Sequence, residues 1–127
     1  MQPNPVNWFE IYVQDIPRAK AFYEKVLEVE LQPLDSPSPE IEMFTFPMEM
    51  GAPGAAGAIA KVEGVPSGGN SVMVYFSCED CAVEASRVEA AGGKICKEKF
   101  SIGQYGFIAI ASDTEGNVFG LHSRPAE

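Results

Sequence analysis

NWFEIYVQD, residues 7–15, runs straight into IPRAKAFYEKVL, residues 16–27, and the pattern returns in SVMVYFSCED and CAVEASRVEAAGG, residues 71–80 and 81–93. Val13-Gln14-Asp15 ends an alternating run and opens an amphipathic helix. Cys78-Glu79-Asp80 does the same 65 residues on. Two copies are too few for a solenoid. Each copy reads strand, aspartate, helix, then further strands. Two such units imply a pseudo-symmetric domain whose cleft lies between its sheets.

Composition sets the outer limits. A chain of 127 residues is one domain with room for a core, and 46% hydrophobic residues is a globular proportion. No run approaches the roughly eighteen apolar residues of a membrane helix. The opening MQPNPVNW has neither the basic nor the apolar block of a signal peptide, which points to a cytoplasmic protein. Cys78, Cys81 and Cys96 are an odd set of three, which argues against structural disulfides. A net charge of −9 argues against a nucleic-acid partner, and nothing in the chain calls for a membrane.

Around the quoted stretch, period-two alternation places Phe9, Ile11 and Val13 on one strand face, under the helix. Trp8, Glu10 and Tyr12 fall on the other. Asp15 is placed to cap the helix, with Pro17 tolerated in its first turn. Further strands are expected at 29–34, 41–46 and 57–62. The breaker cluster Asp35–Pro39 and the Gly/Pro/Ala/Met loop Pro47–Ala55 lie between them. Gly64–Asn70 is turn-forming sequence and reads as the hinge between modules at about 5–63 and 70–124. In the second module Val72, Val74 and Phe76 face the helix. Met73, Tyr75 and Ser77 face the cleft. Asp80 caps a helix that Gly92-Gly93 ends, and strands follow near 94–99, 105–112 and 117–123. The result is an α+β fold, βαβββ twice.

Three stretches resemble the vicinal-oxygen-chelate superfamily, the glyoxalase I, bleomycin-resistance and extradiol-dioxygenase group. They are VQDIPRAKAFYEKVL, EDCAVEASRVEAAGGKI and IASDTEGNVFGLHS. The resemblance spans the chain as a single glyoxalase-like domain. It implies two βαβββ modules forming a curved eight-stranded sheet cleft, commonly as a homodimer. It also implies, for metal-dependent members, a divalent ion held by His and Glu on the first and last strands of each module. Counted from the capping aspartates and from Gly116, those positions are Trp8, Met73, Gly120 and a residue near Ala58 or Ala60. None is a ligand for a hard or borderline ion, and a thioether is a soft donor. No metal or other cofactor is therefore expected, a divalent metal on atypical ligands being the alternative.

Other polar groups remain on the cleft side. Glu10 and His122, the single histidine, are candidate catalytic residues, as an acid–base pair or as binders of a polar substrate group. The bland alternative is that they satisfy each other. Trp8, Tyr12, Met73 and Tyr75 are candidate substrate contacts. Phe44, Phe46, Met48 and Met50 extend the candidate apolar wall, with Phe46 read as core rather than pocket and Trp8 as pocket rather than core. Pro47–Ala55 is either a mobile flap or a plain surface loop. Cys78-Glu79-Asp80-Cys81 has redox spacing, but its two acids oppose a thiolate. Cys96 reads as buried.

Three functions compete. One is a metal-free module that binds a small organic molecule, as bleomycin-resistance members do. Another is a metal-dependent lyase or dioxygenase of the glyoxalase I type with atypical ligands. The third is a sensor or subunit with a decayed cleft. Aromatic walls with a few convergent polar groups favour the first.

Overall fold

The structure is a computed structural model that describes residues 4–36, 38–68 and 72–125. The chain divides into two compact units, Trp8–Val72 and a second made of residues 4–7 with those from Met73 onward. Residues 5–7, which the sequence assigns to the first module, therefore pack with the second. There the Ser77 N–H donates to the Pro5 carbonyl at 2.9 Å. Of the expected hinge, Gly64 and Gly68 take positive φ, while Gly69 and Asn70 lie outside the described residues. Pro37 of the Asp35–Pro39 cluster also lies outside them.

In the first unit the elements are β1 (Val6–Tyr12), α1 (Ile16–Leu27), β2 (Gln32–Leu34), β3 (Ile41–Thr45) and β4 (Ala56–Val62). Asp15, in extended conformation, caps α1 by accepting from the Arg18 N–H at 3.1 Å. The helix ends at Glu28, whose φ of 55° is left-handed without a glycine. Residues 29–31, expected as strand, serve the helix exit instead. The Val29 N–H donates to the Glu24 carbonyl at 3.2 Å, and the Leu31 N–H to the Glu24 carboxylate at 2.8 Å. That backbone bond first, and Lys20 second, hold the Glu24 pKa below its ordinary value.

The strands of this unit run β2-β3-β4-β1, with β1 parallel to β4 and the other pairs antiparallel. One face carries α1. Ile16, Leu31 and Ile59 are buried there, joined by Ile11, Val13, Tyr23, Phe44 and Phe46. Phe46 is core as expected. Phe44, expected as pocket wall, belongs to the same helix-side cluster, because it shares a strand face with Glu42 and not with Met43. The opposite face buries Met43, Ala58 and Ala60 beside Trp8 and Tyr12.

In the second unit β5 (Val72–Cys78), α2 (Cys81–Val88), β6 (Lys94–Ser101), a short 3-10 turn (Gly103–Tyr105), β7 (Phe107–Ser112) and β8 (Val118–Ser123) repeat the plan. The order β5-β8-β7-β6 is that of the first unit, and β5 runs parallel to β8. Asp80 caps α2 through the Ala82 N–H at 3.0 Å and pairs with Lys99 at 2.9 Å. The Lys99 hydrogen bond is the larger cause that lowers the Asp80 pKa. Cys81, Ala85, Ala109 and Leu121 form the helix-side core, with Phe76, Cys78 and Phe119 packed on it. Cys96 is exposed rather than buried. β6 pairs Ile95 with Ala111 and Lys97 with Ile110, so Cys96 is the extra residue of a bulge and loses its alternation. Both units are βαβββ, and the α+β class read from the sequence is the fold.

The Asp113–Asn117 turn closes β7 onto β8. Asp113 accepts from the Asn117 side-chain amide at 3.0 Å and from the backbone N–H groups of Asn117 and Glu115 at 2.9 and 2.8 Å. The Asn117 side chain first, then those N–H groups, depress the Asp113 pKa. A depressed carboxylate stabilises the fold above its unfolded pKa, and that contribution is lost as pH falls through the folded value. Asp113→Ala should therefore lower Tm at pH 7, and the gap to wild type should narrow as pH drops below about 4. A gap that stays constant from neutral to strongly acid pH would contradict this role for the carboxylate.

Candidate functional site

β1 presents Trp8, Glu10 and Tyr12 on the face away from α1, as period two requires. All three are half-buried. Glu10 is gripped from both sides. The Trp8 indole Nε1–H donates to its Oε2 at 3.0 Å, and the Tyr12 hydroxyl to its Oε1 at 2.8 Å. Across the parallel pairing, Trp8, Glu10 and Tyr12 stand opposite Ala56, Ala58 and Ala60. The last two are fully buried, and Met43 and Thr45 pair with them from β3. Small side chains on β4 leave the longer β1 side chains free to reach one another. This alanine alternation was visible in the sequence as a weak strand, but only the register puts it beside Glu10.

The loop after β3 adds a cavity of about 340 Å³ lined by Pro47, Met48, Glu49 and residues 52–56. It reaches Ala56, the register partner of Trp8. Met48 belongs to its wall. Met50 does not: it is 99% exposed and projects from the loop.

His122 has its partners inside the second unit. Its Nε2 lies 2.7 Å from the Tyr105 carbonyl oxygen, and its Nδ1 lies 3.4 Å from the Asn7 side-chain Nδ2. A carbonyl can only accept, so Nε2 carries the proton and Nδ1 receives the Asn7 amide. The ring thus ties β8 to the turn before β7 and to the chain start. Sequence reading gave no signal for Asn7 or Tyr105, because neither lies near His122 in the chain. The Asn7 Oδ1 is buried without a hydrogen-bond partner among the described residues. Glu10 and His122 belong to different units, and each is held by partners within its own.

Met73 and Tyr75 are 9% and 8% exposed, on the face of β5 opposite Phe76. Tyr75 pairs directly with Gly120, and its ring fills the space above that glycine. A Cβ placed on Gly120 would overlap the ring. In the C-x-x-C pair, burial, followed by the charge of Glu84, pushes the Cys78 thiol up to about 11. The Cys78 thiol is therefore not activated at neutral pH. Cys81 is fully buried.

Residues 6–121 match the model of the Glyoxalase/Bleomycin resistance protein/Dioxygenase superfamily. The chain belongs to that superfamily. Among solved structures, a variant of Streptomyces coelicolor methylmalonyl-CoA epimerase in complex with 2-nitronate-propionyl-CoA is similar at TM-score 0.69 and 15% identity. That match covers 98% of this chain and 100% of the other. Methylmalonyl-CoA epimerase from Mycobacterium tuberculosis matches at TM-score 0.69 and 15% identity, covering 97% and 89% of the two chains. An uncharacterized protein from Methanosarcina mazei matches at TM-score 0.62 and 14% identity, over 98% and 94%. Likeness at these identities is likeness of fold. No curated protein matches the sequence significantly.

Membership raises the question of the divalent ion, and the residues at its expected positions do not fit one. Gly120 has no side chain and no space for one. Ala58 and Ala60 are fully buried and carry no donor atom. Trp8 offers only an N–H, which Glu10 already accepts. Among the described residues, no three of His, Cys, Asp and Glu cluster as metal ligands do. No helix among them is long and apolar enough to cross a membrane.

The Tyr75–Gly120 contact gives a direct test. Gly120→Ala should cost about 1–3 kcal/mol through overpacking. The same change in a Tyr75→Ala background should cost less than half as much, since the ring is gone. Urea denaturation of the four proteins measures the coupling, and equal costs in both backgrounds would show that the ring is not the obstacle.

Proposed function

We propose that this chain binds a small organic molecule on the sheet face opposite α1 in the Trp8–Val72 unit, and does so without a divalent metal. The observation that carries the reading is Glu10, its carboxylate fixed between two aromatic donors above a floor of alanines. Apolar walls with one oriented polar group are what small-molecule sites require. Superfamily membership supports ligand binding at the same coarse level, as do epimerase neighbours solved with a CoA ester. We place Trp8 and Tyr12 against the ligand, and Glu10 as its binding and acid–base group. His122 we place as a strut, given its bonds to Tyr105 and Asn7.

Trp8 is the single tryptophan, so its emission reports on this face. Screening small organic compounds against the purified protein should yield a saturable change in that emission together with a rise in Tm. Tyr12→Phe and Glu10→Gln should weaken the binding. His122→Ala should lower Tm and leave binding unaltered. Chelator treatment should change neither signal. Stoichiometric nickel, zinc or iron that raises Tm overturns the metal-free part, and a screen with no saturable ligand overturns the binding part.

The proposal extends to a homodimer. Phe22, Val26 and Leu27 on α1 are each more than half exposed, an apolar strip that suits a second copy. Light scattering should give twice the mass of one chain at micromolar concentration. The mass of a single chain at that concentration would remove the dimer from the proposal.

A further inference from the structure

Among the described residues Glu10 has no cationic partner. Both groups that meet it, the Trp8 indole N–H and the Tyr12 hydroxyl, are neutral. Trp8–Val72 holds four cationic residues, and each is placed elsewhere. Arg18, Lys20 and Lys25 are on α1. Arg18 turns to Asp15 at 3.9 Å. Lys20 turns to Glu24 at 2.9 Å and lies over the Phe44 ring. Lys61 shares the strand parity of Ile59, on the helix side of β4, and pairs across the sheet with Glu42. The face opposite α1 therefore holds a carboxylate and two electron-rich rings, with no lysine or arginine among its described residues.

That combination selects by charge. A ring face and a carboxylate both attract a cation, and partial burial strengthens each attraction. Two hydrogen bonds to one carboxylate bring both rings to its side, so a group seated at Glu10 lies beside both. A metal ion does not suit the arrangement, because hard cations want several oxygen ligands and one carboxylate is on offer. An anionic group would meet repulsion from Glu10 with no lysine or arginine among the described residues of the face to offset it. We propose that this face takes a small organic cation of the quaternary ammonium or protonated amine class. Glu10 supplies the charge, Trp8 and Tyr12 the ring faces, and the β4 alanines the room.

The inference rests on the binding reading above, and one set of titrations separates the two. Wild-type protein is titrated with choline, with its uncharged carbon isostere and with pivalate, and Trp8 emission is followed. Choline should bind about tenfold more tightly than the isostere, and pivalate should not bind. Glu10→Gln, confirmed folded by its thermal transition, should bring choline and the isostere to the same affinity. Propylamine, as a hydrochloride, tests whether a protonated amine is accepted alongside the quaternary ion. Binding of choline and isostere with equal affinity, or a preference for pivalate, overturns the cation inference and leaves small-molecule binding standing. Failure of all these probes overturns the inference. Failure of the wider screen as well overturns the binding reading with it.

Discussion

An aromatic ring laid over a glycine of the neighbouring parallel strand is the contact around which each unit is built. In the first unit Phe9 covers Gly57; in the second Tyr75 covers Gly120. The first and last strands of a βαβββ unit lie side by side, so a large residue on one needs a small residue on the other. The two units put the contact on opposite faces. Phe9 lies on the helix side, in ring contact with Phe46. Tyr75 lies on the other side. This one difference divides the two copies in what their far faces present. Where the ring goes to the helix side, the far face keeps Glu10 and its aromatic donors above alanines. Where the ring goes to the far face, it fills the position at which a side chain would otherwise project.

The same contrast bears on how the scaffold relates to the expected ligand positions in this superfamily member. Pairing, helix crossover and capping aspartate are repeated in both units, and none of them needs an ion. The positions expected for ligands carry residues that pack against their neighbours. Tyr75 over Gly120 and Met43 beside Ala60 contribute buried area where an ion site would need polar donors. The whole architecture is thus retained although the first-strand position expected for a ligand is Trp8, with Glu10 one alternation along and bonded to it.

Much of the fold was legible because its signals are local. Alternation in residues 7–13 and helical spacing after Asp15 name β1 and α1 without knowledge of partners. The repeat supplies the rest. Register was not legible. That Glu10 stands opposite Ala58, and Tyr75 opposite Gly120, depends on pairing between strands more than forty residues apart. Cys96 was misread because a bulge is invisible to a period-two count, and Phe44 because its strand parity was set aside in favour of its aromatic character. The site was legible in its members and not in its bonds. Trp8, Glu10 and Tyr12 were placed on one face, but their mutual hydrogen bonds are a matter of side-chain reach. The partners of His122 come from the start of the chain and from a turn, which no spacing rule connects.

The bulge in β6 has a consequence beyond the one cysteine it exposes. β2 and β6 are corresponding strands, each at one end of its own unit's strand order, and an end strand offers unpaired backbone groups to any passing chain. Both are poor templates for addition. β2 has three residues, and one is Pro33, which has no N–H to give. β6 is longer but carries Lys94, Lys97 and Lys99, and its register shifts twice along its length. An incoming strand would meet a broken ladder and a row of ammonium groups. Two unrelated devices, brevity with proline and irregularity with charge, thus blunt these two strands as templates.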